Sequence, residues 1–158
     1  MSSARTTPPH LLLLVDDSPL DQELLCEAFQ VIAPTFELEL IDDSRTVLCR
    51  LADPAARRPA GVLMDINMPA VSGLELLQAM RGDSAWPDVP VVMLTMSASP
   101  KDRHEAQQAG ARAYFQKPHD FEGTVCLVQD VLTTLDLAAE VIGRRREETG
   151  HGGWTATG

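Results

Sequence analysis

The sequence predicts an α/β fold, an open, doubly wound sheet of five parallel strands with helices on both faces. Three observations predict it. Five short apolar runs alternate with longer stretches of helical period, in the order βαβαβαβαβα. Most of these runs are continuous Leu, Val and Met without polar alternation, which suits strands covered on both faces. Right-handed crossovers then make the doubly wound form the natural solution. At 158 residues, with no internal repeat or interdomain linker, the chain fits one such domain.

The first strand is the run Leu11, Leu12, Leu13, Leu14 and Val15. Ser18 then Pro19 reads as an N-cap followed by proline at the first helical position. Leu24, Leu25, Ala28, Phe29 and Ile32 fall on one face of that helix, and Pro34 stops it. Residues 36–41 alternate apolar and acidic and read as a more peripheral second strand. A short helix follows Ser44, with Val47, Leu48 and Leu51 inward. Val62, Leu63 and Met64 form the third strand and run into Asp65. Leu74, Leu77 and Met80 mark a helix after Gly73 that ends at Gly82. Val91, Val92, Met93 and Leu94 form the fourth strand and run into Thr95. Pro100 opens a fourth helix, which ends near Gly110, and residues 111–115 make the fifth strand. The last helix begins near Asp120. Its apolar positions Val125, Val128, Val131, Leu132, Leu135, Ala138 and Ile142 predict a long element, with residues 124–142 spanning about 28 Å at a rise of about 1.5 Å per residue. Residues 1–9 are a polar leader. Residues 143–158 are a Gly- and Arg-containing tail with Trp154 as its large apolar side chain.

Charge and cysteine content exclude several function classes. Thirteen Lys and Arg stand against 23 Asp and Glu, a net charge of −10. Such a surface repels phosphate backbones and anionic lipid, so neither nucleic-acid nor membrane binding is expected. It favours metal cations or a basic patch on a partner. Cys26, Cys49 and Cys126 are odd in number and widely spaced. They read as reduced thiols of a cytoplasmic protein, not as a disulfide framework or a zinc site. The first apolar run falls far short of the ~20 residues that span a bilayer, and nothing before it has the form of a signal peptide.

Sites in open α/β sheets form outside the carboxyl ends of the strands. Polar residues stand at those ends here. The first strand ends in Asp16 and Asp17, the third in Asp65 and the fourth in Thr95. Lys117 and Pro118 follow the fifth closely, and Asp42 and Asp43 end the peripheral second strand. Taken singly, each has a local reading as a cap, a turn or a strand-end hydroxyl. Taken together they point to chemistry. Three converging carboxylates need a cation to stay ionised, and clustered hard oxygens suit Mg²⁺. Asp65 is placed to act as a nucleophile and form an aspartyl phosphate. Lys117 and the Thr95 hydroxyl can meet phosphoryl oxygens, the charge stabilisation that phosphoryl transfer requires.

At this point the sequence resembles the receiver domain of bacterial two-component response regulators. The residues that carry the likeness are Leu11 to Pro19, ending Val-Asp16-Asp17-Ser-Pro; Leu63-Met-Asp65-Ile-Asn67-Met-Pro69; and Gly73 with the Leu-Glu-Leu-Leu after it. Val91 to Thr95, Ala109-Gly-Ala111 and Tyr114-Phe-Gln-Lys117-Pro118 complete it. The likeness implies a flavodoxin-like strand order, 2-1-3-4-5, for a receiver domain over residues 10–142. It implies Asp65 as acceptor of a phosphoryl group from a sensor histidine kinase. It implies Mg²⁺ held by Asp17, by Asp16 through water, by Asp65 and by the backbone carbonyl of Asn67. Lys117 would pair with the phosphoryl group, across a cis bond to Pro118. Thr95 and Tyr114 would be the switch residues, moving on phosphorylation and passing the change to a downstream protein.

Further features refine this expectation. Asp21, Glu27-Ala-Phe29 and the run from Lys117 to Phe121 are most similar to small regulators paired with bacterial phytochromes. Met96 stands after Thr95 where a small residue is usual, which predicts a shielded, slowly hydrolysed phosphoryl group. Pro100 sets the start of its helix. The short tail has no room for a helix-turn-helix reader, so a stand-alone receiver is expected. The apolar positions running to Ile142 suggest a homodimer through the fourth and fifth helices. Two other readings stand beside this one. A Mg²⁺-dependent aspartyl-phosphate phosphatase would want a second acid two residues after the nucleophile, where Asn67 stands, and a substrate-capping domain. A phosphorylation-independent scaffold would tolerate loss of Asp65 or Lys117, and both are present.

Overall fold

The computed structural model describes residues 10–82, 84–96 and 99–137. Ten elements alternate. Strands are β1 (Leu11–Val15), β2 (Glu37–Ile41), β3 (Gly61–Asp65), β4 (Val91–Thr95) and β5 (Ala113–Gln116). Helices are α1 (Pro19–Ile32), α2 (Ser44–Leu51), α3 (Gly73–Arg81), α4 (Pro100–Gln108) and α5 (Phe121–Thr134). The strands pair in parallel in the order β2-β1-β3-β4-β5. This is the flavodoxin-like arrangement expected above. Central β1, β3 and β4 are buried along their whole length, whereas β2 is half exposed. The continuous and the alternating apolar runs therefore divided the strands correctly.

The helix starts follow from local chemistry. Ser18, Asp43, Ser72, Ser99 and Asp120 are the N-caps, each accepting a backbone N–H of the first turn through its side chain. Ser72 and Glu75 close a reciprocal capping box. Two cores lie on opposite faces of the sheet. Leu12, Leu14, Leu63 and Leu94 face α1 and α5, while Leu13, Val15, Met64 and Met93 face the other side with Leu76, Leu77 and Met80 of α3. The period-two alternation of a strand sends neighbouring leucines of one run to different cores.

The structure corrects three expectations. First, α5 ends at Thr134 instead of running to Ile142. Asp136 takes a left-handed φ of 61°. The Leu137 N–H donates to Leu132 O (2.8 Å) and the Asp136 N–H to Thr133 O (3.1 Å). These two bonds form a Schellman stop, with buried Leu132 and Leu137 as its hydrophobic pair. Leu137 thus lies past the helix and helps to close it. Ala138, Ile142 and Trp154 lie outside the described residues. The helical extension that suggested a dimer face is therefore not helix at its start. Second, Leu48 is exposed, because the inward stripe of α2 is Ser44, Val47 and Leu51. Third, no described peptide bond is cis, so Lys117–Pro118 is trans, the ordinary state of a peptide bond. The trans bond still delivers the Lys117 ammonium to the acidic cluster (below). Trp86, which the periodicity did not flag, is fully buried against the α2–α3 side, where the Arg50 guanidinium lies 5.8 Å from its ring centroid.

Candidate functional site

The carboxyl ends of β1, β3 and β4 bring the predicted residues together. Asp16 follows β1 directly and is buried. Its position is fixed from both sides of the carboxylate: Oδ1 accepts the Ser18 N–H (2.9 Å) and Oδ2 accepts from Lys117 Nζ (2.6 Å). Asp65 is the last residue of β3 and also buried. Its Oδ1 accepts the Asn67 N–H (3.3 Å), and its Oδ2 lies 3.5 Å from Lys117 Nζ. Asp17 is exposed at the rim. One ligand oxygen from each of Asp16, Asp17 and Asp65 fits within 4.8 Å of the others.

Backbone packing holds this corner in place. The Gly73 N–H donates to Ile66 O (2.8 Å), which folds the loop after β3 back against the strand. A Cβ at Gly73 would come within 2.2 Å of Asp65 O, so only glycine permits the approach. The Ser44 hydroxyl donates to Pro69 O and accepts the Val71 N–H, tying the far side of the loop to α2. Ala70, between them, takes a left-handed φ of 69°.

Lys117 reaches the acids from the loop after β5. Its own N–H donates to Thr95 O (2.7 Å), so the β4 end sets its backbone. Its ammonium is nearly enclosed by three carboxylates: Asp16, Asp65 and Asp21, the last at 2.8 Å. Burial alone would push this ammonium down, but the hydrogen bonds to Asp16 and Asp21 outweigh it and hold it above its ordinary range. Burial likewise pushes Asp16 up, with Lys117 pulling the other way. Asp65 is pushed up to about 6, chiefly by burial, with the Lys117 charge opposing and the Asp16 charge adding to the rise.

Thr95 ends β4 and is fully buried. Tyr114 pairs in register with Met93 and is half buried, with the Arg103 guanidinium of α4 5.3 Å from its ring centroid. Met96 is 53% exposed beside Thr95. Asn67 is exposed at the mouth of the site. Asp16, Asp17, Asp65, Thr95 and Lys117 are thus at the same end of the sheet, and Tyr114 stands two residues back, opposite Met93. Two residues were missed as site neighbours. Asp21 sits in the first turn of α1, where an acid reads as a partner of the helix dipole. Gln22 is buried, and its amide donates to Ile41 O (3.1 Å). Nothing in a polar residue early in a helix distinguishes it from a solvated one.

The donor set fits a divalent cation. One ammonium faces Asp16, Asp21 and Asp65, with Asp17 beside them, and oxygen-rich acidic clusters of this kind suit Mg²⁺. The response regulator receiver domain model matches residues 12–129. The chain belongs to the response regulator receiver family. Receiver domains are the phosphoacceptor signalling domains of two-component systems. Response regulator Rre1 of Synechocystis is 34% identical over 124 residues, covering 78% of this chain and 52% of Rre1. The chain thus spans about half the length of that relative. The phosphorylated cyanobacterial phytochrome response regulator RcpA shares the fold, with a TM-score of 0.71 at 23% identity, over 78% of this chain and 91% of that one. The Mn²⁺-bound form of response regulator Rcp1, a Synechocystis protein, gives a TM-score of 0.69 at 26% identity, over 79% and 93%. The expected likeness to phytochrome response regulators is met by RcpA at the level of the fold. Among its described residues no helix is long and apolar enough to cross a membrane.

Proposed function

We propose that this receiver takes a phosphoryl group onto Asp65 from a sensor histidine kinase, with Mg²⁺ bound by Asp16, Asp17, Asp65 and the Asn67 carbonyl. One observation carries the reading: a buried strand-end carboxylate lies 3.5 Å from a buried ammonium, within a cluster of three acids. In the transfer, a carboxylate oxygen of Asp65 forms a bond to phosphorus. The phosphorus–nitrogen bond to the kinase histidine breaks, and the imidazole leaves with the electron pair. Bound Mg²⁺ supplies charge neutralisation for the phosphoryl oxygens. Lys117 offers its N–H groups to one of those oxygens, and the Thr95 hydroxyl turns to another. Tyr114 follows Thr95 toward the sheet, and the surface of α4 and β5 passes the change to a downstream protein.

The partner class is a phytochrome-type sensor kinase, supported by Asp21, the Glu27-Ala-Phe29 run and the segment from Lys117 to Phe121. The acidic surface supports action through protein contacts without direct binding to nucleic acid, and the three free cysteines support a cytoplasmic role. A homodimer through α4 and α5 belongs to the same reading. Light scattering of the phosphorylated and unphosphorylated protein tests it.

Incubation with acetyl phosphate and Mg²⁺, followed by intact mass, tests the central claim. The expected result is a gain of one phosphoryl group on the wild type and none on Asp65→Asn. Continuous release of phosphate from small phosphate esters would instead identify a phosphatase. No reaction in any condition would identify a phosphorylation-independent scaffold.

A further inference from the structure

The Lys117 ammonium has three N–H groups. Two are committed to strong bonds, to Asp16 Oδ2 at 2.6 Å and to Asp21 Oδ2 at 2.8 Å. Asp65 Oδ2, at 3.5 Å, is an ion-pair neighbour only. The two strong partners differ in kind. Asp16 is one of the three acids whose oxygens can share a cation, and Asp21 is not. A cation that engages Asp16 weakens its hold on Lys117, whereas Asp21 is outside the set of oxygens that can share the cation and keeps its own bond to the ammonium.

Asp21 is also fixed independently of the cluster. Its backbone N–H donates to the Ser18 hydroxyl (3.3 Å), so the N-cap that starts α1 also sets this carboxylate. The helix behind it is anchored by buried Leu25, Ala28 and Phe29. The carboxylate therefore stands on a rigid element and reaches about 2.8 Å across to a lysine from the opposite end of the chain.

We infer that Asp21 is a positioning residue, which tethers the Lys117 ammonium beside Asp65 when Mg²⁺ claims Asp16. The inference rests on the phosphoacceptor reading above. Two consequences follow. Without Asp21, Lys117 binds Asp16 alone, so Mg²⁺ must compete with an undivided ammonium and binds more weakly. With Mg²⁺ saturating, the untethered ammonium no longer rests at a fixed point beside Asp65, and transfer slows. An acid that acts only through its charge would weaken Mg²⁺ binding in any neutral variant, but a neutral acceptor at its position would then not restore the rate.

The test compares Asp21→Ala and Asp21→Asn with the wild type by magnesium titration calorimetry and by phosphorylation from acetyl phosphate at saturating Mg²⁺. Asp21→Ala should bind Mg²⁺ several-fold more weakly. It should also be phosphorylated about tenfold more slowly, the scale of one hydrogen bond to a charged group. Asp21→Asn keeps an acceptor oxygen but not the charge, so it should recover most of the rate and not the metal affinity. The inference is overturned if Asp21→Ala reacts at the wild-type rate under saturating Mg²⁺, or if Asp21→Asn slows as much as Asp21→Ala. Should Asp21→Ala unfold in a thermal melt, a wild-type magnesium isotherm for Asp21→Asn alone overturns it. A wild type that takes no phosphoryl group on Asp65 refutes the underlying function. A wild type that does, with an equally reactive Asp21→Ala, refutes only the tether.

Discussion

The two faces of the sheet are built to different specifications. On one, α1 and α5 are 14 residues each, and their apolar stripes meet over Leu12, Leu14, Leu63 and Leu94. On the other, α2, α3 and α4 have eight or nine residues, and α4 buries only Ala106. The difference separates holding from moving. Asp21 stands on α1, and the loop carrying Lys117 runs into α5, so both ends of the proposed ammonium tether are attached to the face with the two long helices. Tyr114 and Arg103 belong to the thin edge, where few buried contacts oppose displacement. Segments that move are drawn from the parts of a fold with the least local stability.

The largest expected effect tests the heavy face. Phe29 is 1% exposed, and its ring sits among leucines and valines of β1, α1 and α5. Phe29→Ala should cost about 3–5 kcal/mol in urea unfolding, the transfer loss plus the cavity left behind. Ala106→Gly on α4 should cost only about 1 kcal/mol, mostly helix propensity. A cost of only about 1 kcal/mol for Phe29→Ala would mean that α1 is not secured by its buried stripe, and the contrast would fail.

Next in size is the strain stored between the faces, at the acidic corner. Asp65 is pushed up to about 6 from an ordinary 3.8, chiefly by burial. The folded protein therefore holds this proton more tightly than the unfolded chain does. Stability from the group is present below pH 3.8, falls as pH rises, and is gone above about 6. Ionised Asp65 is thus a cost at neutral pH. Asp65→Asn should raise the unfolding free energy at pH 7 in metal-free buffer by about 1–3 kcal/mol. The gain should disappear near pH 3. A variant no more stable than wild type at pH 7 would show that Lys117 fully compensates the burial.

How much of this was legible in the sequence differs between the same regions. Strand cores were, because a run such as Leu11 to Val15 is too short for a helix and is closed at once by Asp16 and Asp17. Helix starts were, because local signals such as Ser18 with Pro19, Pro100 and Asp120 act on backbone groups within three residues. Asp16, Asp65, Thr95 and Lys117 were, because parallel strands put their carboxyl ends at one edge. The end of α5 was not, since Leu132, Leu135, Ala138 and Ile142 keep helical spacing in the sequence while Asp136, with nothing in its identity to mark it, takes the left-handed turn that stops the helix. Trp86 was not, since its loop has no period to betray its inward side. The Asp21 partnership was not either, since it joins residues 96 positions apart and Asp21 alone is an ordinary first-turn acid.

Met96 gives a smaller effect, one that concerns lifetime and not stability. It is 53% exposed beside the fully buried Thr95, at the mouth of the site. Met96→Ala should shorten the lifetime of phosphorylated Asp65 several-fold by opening a path for water, followed by intact mass after removal of the phosphodonor. An unchanged decay would leave the side chain without influence on the reaction.

The smallest effect tests the thin face directly. The Arg103 guanidinium lies 5.3 Å from the Tyr114 ring centroid, and Arg103 is exposed. A cation–π contact at such a site contributes about 0.5–1 kcal/mol, so Arg103→Ala should barely shift urea unfolding. Its effect on the ring should still be measurable. Two tyrosine orientations that differ by that amount change severalfold in relative population when the contact is lost. Tyr114 is the sole tyrosine of the chain, so its ring resonances report on it without assignment ambiguity. Arg103→Ala should move the ring shifts of the unphosphorylated protein toward those of the phosphorylated wild type. If they stay in place, α4 does not hold the ring, and the poise of this edge must come from β4 and β5, where Tyr114 stands opposite Met93.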